Sequence, residues 1–317
     1  MLTFLHTLHP TPILLDLGAV QIHWYGLLIC LAILAGLSVA QFLGKRVGIK
    51  PEQLLDLAFW LIIFAIIGAR LYDCLLDWSY YAANPWDVLK IWQGGLAIHG
   101  ALIGGAAVLL YFCWKKQSDF WLYASIIVPG IALGQAIGRW GNYFNQELFG
   151  RPTNLPWGIP IDIVHRPLQF VNNLYFQPTF LYESLGDLLI FALLFCCANN
   201  LKTPAKTPQS SARDCDGEAK TTEKTTTPRR SLLGVSAEGL RRLLADEKIK
   251  QKFIFLSYLI AYSALRFSLE FIKVDPTPAA FGLRAPQWVS LLIDVSAIGY
   301  LIYSLIAKTK DNGLKSS

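Results

Sequence analysis

The sequence predicts an all-α membrane protein: a polytopic helix bundle with about seven transmembrane helices and a small extracytoplasmic cap. Three observations predict it. Of 317 residues, 54% are hydrophobic and only 16% charged, which is too apolar for an ordinary soluble domain. Stretches close to or above the roughly 18 apolar residues that a bilayer requires recur along the whole chain. The lysines and arginines, finally, gather in alternate connections between those stretches.

The spans are read at 19–42, 54–76, 96–114, 120–137, 179–198, 253–272 and 288–307. With the N-terminus outside, the inner connections hold Lys45, Arg46 and Lys50, then Lys115 and Lys116, then a basic run between Lys202 and Lys252, and last Lys308, Lys310 and Lys315. That bias favours an outer N-terminus and a cytoplasmic C-terminus. No lysine or arginine precedes Lys45, so the first span lacks the charged start of a cleaved signal and is expected to persist. The net charge of +6 follows this topology, and no nucleic-acid partner is expected. Residues 1–317 read as a single integral membrane domain.

Two segments stand outside the spans. Residues 140–178, rich in Asn, Pro and aromatic residues, are expected to fold as the cap. Residues 199–252 turn to Lys, Thr, Pro and Ser and read as a cytoplasmic insertion, mostly disordered. At its end, residues 237–250 alternate leucines with basic residues, as a basic amphipathic helix on the inner leaflet would, or a plain solvated one. Of the six cysteines, Cys30, Cys74, Cys113, Cys196 and Cys197 lie in or beside apolar segments and Cys215 in the polar loop. Their spacing is not that of a metal site.

Small residues recur at spacing four in Gly100 and Gly104 and in Gly130, Gly134 and Gly138. This pattern lets membrane helices approach closely, and it predicts that the third and fourth spans pack together. Pro129 is expected to kink the fourth span.

The polar residues that a membrane tolerates least collect toward one end of the bundle. Gly138-Arg139-Trp140-Gly141-Asn142 runs on to Asn145, Glu147 and Gly150 at the end of the fourth span. His99 opens the third span, and Arg266 and Glu270 lie toward the end of the sixth. Ionisable groups in such positions are functional-site candidates by default. Structural readings stand beside that one. Arg266 and Glu270 are spaced i, i+4 and can simply pair, Asn142, Asn145 and Glu147 can cap a helix, and Arg70 and Asp73 suit a structural pair. Tyr25, next to Trp24, is an aromatic-belt anchor on its own evidence.

Taken together, these segments resemble the bacterial prolipoprotein diacylglyceryl transferases. The resemblance rests on His23-Trp24-Tyr25-Gly26, Gly68-Ala69-Arg70, Gly94-Gly95-Leu96 with His99-Gly100-Ala101-Leu102-Ile103-Gly104, the stretch from Gly138 to Gly150, Pro178-Thr179-Phe180-Leu181-Tyr182-Glu183, and Arg266-Phe267 with Glu270-Phe271. It covers nearly the whole chain. It implies an enzyme of the bacterial inner membrane that moves the diacylglyceryl group of phosphatidylglycerol onto the thiol of a lipobox cysteine in a preprolipoprotein. A thioether forms and glycerol phosphate is released, the first step of lipoprotein maturation. It further implies Tyr25, His99, Arg139 and Arg266 as catalytic residues and Arg139, Asn142, Asn145, Glu147, Gly150, Glu183 and Glu270 as substrate-binding.

For that reaction the thiol must lose a proton, and His99 is the leading base. The leaving phosphate gains charge, which Arg139 and Arg266 are suited to meet with planar, permanently charged forks. Two departures from the family pattern stand out: Gln177-Pro178 where His-Pro is usual, and the insertion after Ala198. A monomer is expected, acting on membrane lipid without metal, nucleotide or redox cofactor. The competing readings are a polytopic transporter and a phospholipid hydrolase using the same site. Neither a second copy of the arginine motif nor a G-x-S-x-G or H-E-x-x-H motif occurs in the sequence.

Overall fold

In the computed structural model, residues 6–18, 21–202, 246–274 and 277–314 are described. The cysteine at 215 and residues 203–245 of the expected insertion, including most of the amphipathic segment 237–250, lie outside them.

Among the described residues, seven helices long and apolar enough to cross a membrane run Trp24–Arg46, Pro51–Leu76, Ile98–Lys115, Phe120–Phe144, Thr179–Asn199, Glu247–Glu270 and Ala285–Leu314. The ends differ from expectation for identifiable reasons. Residues expected to begin the first span are taken by a hairpin, in which Ile13–Asp16 pairs with Gln21–His23, so the helix starts at Trp24. The fourth span runs seven residues past the expected end, because Gly138 and Gly141 do not interrupt it, and so carries Arg139 and Asn142 on helix rather than loop. The sixth span begins inside the segment assigned to the insertion. Its start is fixed by Asp246, whose carboxylate accepts from the amides of Lys248 and Ile249 at 2.9 and 3.4 Å. Pro51, with the amide hydrogen missing where a helix has no use for one, opens the second.

The fourth span is the axis of the bundle. In its membrane window 56% of residues are buried, against 33% or less in every other span. It packs on the first, fifth and sixth spans, the sixth on the fifth and seventh, and the second and third form a pair at the side. The glycine rows explain this order and correct the expectation that the third and fourth spans pack together. A Cβ on Gly100 would collide with the Gly68 carbonyl, and one on Gly104 with the Phe64 carbonyl, so this row serves the second span. A Cβ on Gly130 would meet the Gly36 carbonyl, and Gly134 lies over Ala32, so that row serves the first. Between the third and fourth spans contact is slight.

Because successive spans alternate in direction, seven helix ends share one side of the bundle: the starts of the first, third, fifth and seventh spans and the ends of the others. Over this side residues 145–178 fold into a small unit, pinned by the pairing of Ile159–Pro160 with Tyr175–Phe176. Its core of Phe149, Ile159, Ile161 and Phe176 is continuous with Tyr143 and Phe180 of the fourth and fifth spans.

Candidate active site

The fourth, fifth and sixth spans each bring ionisable groups to one point. Along the sixth, Tyr258, Tyr262, Arg266 and Glu270 recur every four residues and so line one face, while Glu183 and Asp187 do the same on the fifth. The Oε1 atom of Glu183 accepts a hydrogen bond from Arg266 Nη1 at 2.9 Å and forms an ion pair with Arg139 Nη2 at 2.8 Å. Arg266 Nη1 is also 3.1 Å from Oε2, and Lys273 Nζ lies 3.6 Å from that oxygen. Glu183 is only 1% exposed. The arginine side chains keep 19% and 22% of their surface open. Three cations on one enclosed carboxylate leave positive charge in excess, in a setting of low dielectric and with accessible edges. Such an arrangement suits an anion. Lys273 follows the sixth span, and its burial pushes the ammonium below the usual lysine range against the pull of Glu183.

A second carboxylate borders the first. Glu270, 2% exposed, has Arg284 at 3.4 Å, Thr277 Oγ1 at 3.5 Å and Arg266 at 3.9 Å. The i, i+4 pair read from sequence is therefore the looser of Arg266's two ion pairs, and the close partner comes from another span. On the opposite flank, Asn142 Nδ2 donates to Glu147 Oε1 at 2.8 Å and Asn145 Nδ2 to the same oxygen at 3.5 Å. Asn142 Oδ1 accepts from Arg139 Nη1 at 3.4 Å, so this network abuts the arginine. The turn it sits in takes left-handed steps at Gln146 (φ 52°) and Leu148 (φ 55°). Gln146 is tied by both its amide atoms, donating to Pro10 O and Asp162 Oδ2 and accepting from Asp162 N.

Gly150 closes the turn. Its N–H donates to Gln177 O at 2.9 Å, its backbone bridges to Lys273, and a Cβ there would press on Gln177, Ile272 and Thr179. The position thus demands glycine for close approach and carries Lys273 to the cluster. Gln177, one of the two departures noted in the sequence, is used here through its backbone.

Tyr25 lies against Gly141, where a Cβ would strike its ring, and so borders the same motif. His99 is placed differently. It is exposed at the start of the third span, with its ring 5.8 Å from that of Tyr72. Among the described residues no hydrogen bond or ion pair joins it to the arginine cluster. Arg70 is a clamp: it donates to the carbonyls of Val88 at 2.9 Å, Gly94 at 2.7 Å, Gly95 at 2.9 Å and Asp87, while Asp73 sits 3.9 Å away. It thereby fixes the loop that leads into His99. Sequence reasoning missed Lys273, Tyr262, Arg284 and Asp187 as neighbours of the site. The four-residue periodicity of polar groups on the fifth and sixth spans was the available signal for Tyr262 and Asp187.

The family model described as prolipoprotein diacylglyceryl transferase matches residues 12–212 and 235–303. The chain belongs to that family. Relatives named phosphatidylglycerol–prolipoprotein diacylglyceryl transferase include one from Synechocystis sp., 48% identical over 284 residues that cover 90% of this chain and 86% of the relative. Another, from Nostoc sp., is 53% identical over 193 residues, 61% of this chain and 68% of the relative. One from Prochlorococcus marinus is 35% identical over an alignment covering 99% of this chain and all of the relative. The diacylglyceryl transferase match leaves out residues 213–234, within the segment that sequence reading assigns to an insertion.

Proposed function

We propose that this chain transfers the diacylglyceryl group of phosphatidylglycerol to the thiol of a lipobox cysteine in a preprolipoprotein. The observation that carries the reading is the gathering of Arg139, Arg266 and Lys273 on the one enclosed carboxylate of Glu183, with the arginine edges left open. In the reaction, sulfur attacks a glycerol carbon and the carbon–sulfur bond forms. The bond from that carbon to the phosphate oxygen breaks, and its electron pair leaves with glycerol phosphate. The phosphate thereby passes from one negative charge toward two, and cations fixed beforehand lower the barrier to that change. Arginine keeps its charge in a low-dielectric site and presents two parallel N–H groups to two oxygens.

Within this reading Arg139 and Arg266 hold the phosphate. Glu183 and Glu270 aim the arginines, while the Asn142, Asn145 and Glu147 network, seated by Gly150, fixes the end of the fourth span. Tyr25 borders the site, and His99, at the same end of the bundle, takes the thiol proton. The protein is a monomer of the bacterial inner membrane with its N-terminus outside and its C-terminus in the cytoplasm. The site and the cap of residues 145–178 then face outward, and the insertion within 199–252 is cytoplasmic. The basic residues of the inner connections support that orientation.

The test is a transfer assay with purified protein, phosphatidylglycerol labelled in its acyl chains and a lipobox peptide, with a Cys→Ser peptide as control. Label is expected on the cysteine peptide alone. Release of glycerol phosphate with neither peptide modified would instead make the chain a lipid hydrolase.

A further inference from the structure

Beneath the arginine cluster the fifth span carries a second carboxylate that the reaction as described does not use. Asp187 lies one helical turn from Glu183 and is fully buried, and both of its oxygens lack a hydrogen-bond donor. A buried carboxyl group without a donor is costly, so such a group points to a partner that completes it. Matching donors stand beside it on the fourth and sixth spans, which meet Glu183 one turn away. Arg139 Nε is likewise buried and has no acceptor, although both terminal nitrogens of that guanidinium are engaged. The Tyr262 hydroxyl accepts from Arg139 Nη2 at 3.2 Å and retains its own hydrogen to give. Asp187 is in electrostatic reach of Arg139, Arg266 and Glu183, and Tyr262 in reach of Asp187.

We propose that Asp187 is a positioning residue for Arg139. A buried water accepts from Arg139 Nε and from Tyr262 and donates to the Asp187 carboxylate, which holds the guanidinium plane so that its terminal nitrogens face the phosphate site. Three polar partners are the usual complement of such a water. The polar stripe of the fifth span then has two levels: Glu183 fixes the tips of the arginine and Asp187 fixes its neck. This inference deepens the proposed transfer reaction and rests on it for its kinetic readout.

The test is a double-mutant cycle with Arg139, read as kcat/KM for transfer after the wild-type protein has been shown to transfer at all. Asp187→Ala is expected to lose about tenfold, the size of one hydrogen bond to a charged group. Asp187→Asn keeps an acceptor oxygen in place and should retain most of the activity. In an Arg139→Ala background, Asp187→Ala should cost almost nothing further, since the residue acts through that arginine. Wild-type rates in Asp187→Ala, an equal loss in folded Asp187→Asn, or an undiminished loss without Arg139 would each overturn the proposal. A high-resolution structure of the wild-type protein provides a check that needs neither folding of a variant nor activity. It should show ordered water within hydrogen-bond distance of Asp187 and Arg139 Nε, and a dry pocket there would contradict the assignment. Absence of transfer by the wild-type protein would count against the proposed reaction and leave that structural readout standing.

Discussion

Each charged residue at the centre of the site is of a kind that its surroundings require. Arg139 and Arg266 each reach the Glu183 carboxylate and other groups at once, Asn142 and Tyr262 in one case and Glu270 in the other. A planar fork with several donors does this, and a single ammonium does not. Glu183 is the hub, since among the described residues it is the one carboxylate that Arg139, Arg266 and Lys273 all reach within 4 Å; without it Arg266 keeps only its looser pair with Glu270 at 3.9 Å. Removing one partner of a buried ion pair typically costs about 3–5 kcal/mol. Glu183→Ala is therefore expected to lower the thermal unfolding temperature in detergent sharply as well as to stop transfer. A variant as stable as the parent would show that water already screens the cluster.

At the scale of elements, the spans were legible because a bilayer leaves the backbone only helical solutions over long apolar runs, and hydropathy reports such runs directly. Their ends were less legible. The hairpin before Trp24 is a pairing between short segments, and the continuation of the fourth span through Gly138 and Gly141 depends on neighbours that tolerate glycine in a helix. Glycine rows announced close approach without naming the partner, so Gly100 and Gly130 were both read as facing each other when each faces a different span. Gly100→Leu would force the second and third spans apart at the Gly68 carbonyl. We expect it to destabilise the protein by about 1–3 kcal/mol, the usual scale of overpacking, read as a drop in melting temperature. An unchanged melting temperature would mean that this side pair is loosely held.

The start of the sixth span offers a pH-dependent check on the other side of the bundle. Asp246 loses by burial, but Lys308 at 2.9 Å and the Lys248 and Ile249 amides outweigh this and hold its carboxyl below the usual range. A depressed carboxyl stabilises the fold above its unfolded pKa and stops doing so as pH falls through the folded one. Asp246→Ala should then cost about 1 kcal/mol at neutral pH, as loss of a helix cap does. The difference from wild type should fade below about pH 4, near the unfolded aspartate value. A penalty that persists into acid would mean that the aspartate acts by packing rather than by charge.

The whole molecule is an asymmetric bundle in which one central helix receives contacts from three others and delivers Arg139 to the end where seven helix termini meet. Arginines inside an apolar chain were visible in the sequence because a membrane makes each of them expensive. Their common carboxylate was not, because pairing across spans is settled by the packing of the fourth, fifth and sixth helices. Lys273 was hidden for a similar reason: the bridge from Gly150 and the Arg151–Ile272 backbone hydrogen bond carry it inward. Orientation in the bilayer can be read in cells. Leu168 is 94% exposed on the cap, and Leu168→Cys, in a chain whose native cysteines are replaced, should react with a membrane-impermeant maleimide in intact spheroplasts. Reaction only after permeabilisation would reverse the topology.

The central claim is that the cations gathered at Glu183 stabilise charge developing on the leaving phosphate. Single-turnover transfer by Arg139→Ala, with phosphatidylglycerol saturating, tests it most directly. The rate of the chemical step should fall by at least about a hundredfold, the loss expected when one such preorganised donor is removed. A rate close to wild type, with only the apparent affinity for lipid reduced, would show that the cluster binds the headgroup without assisting its departure.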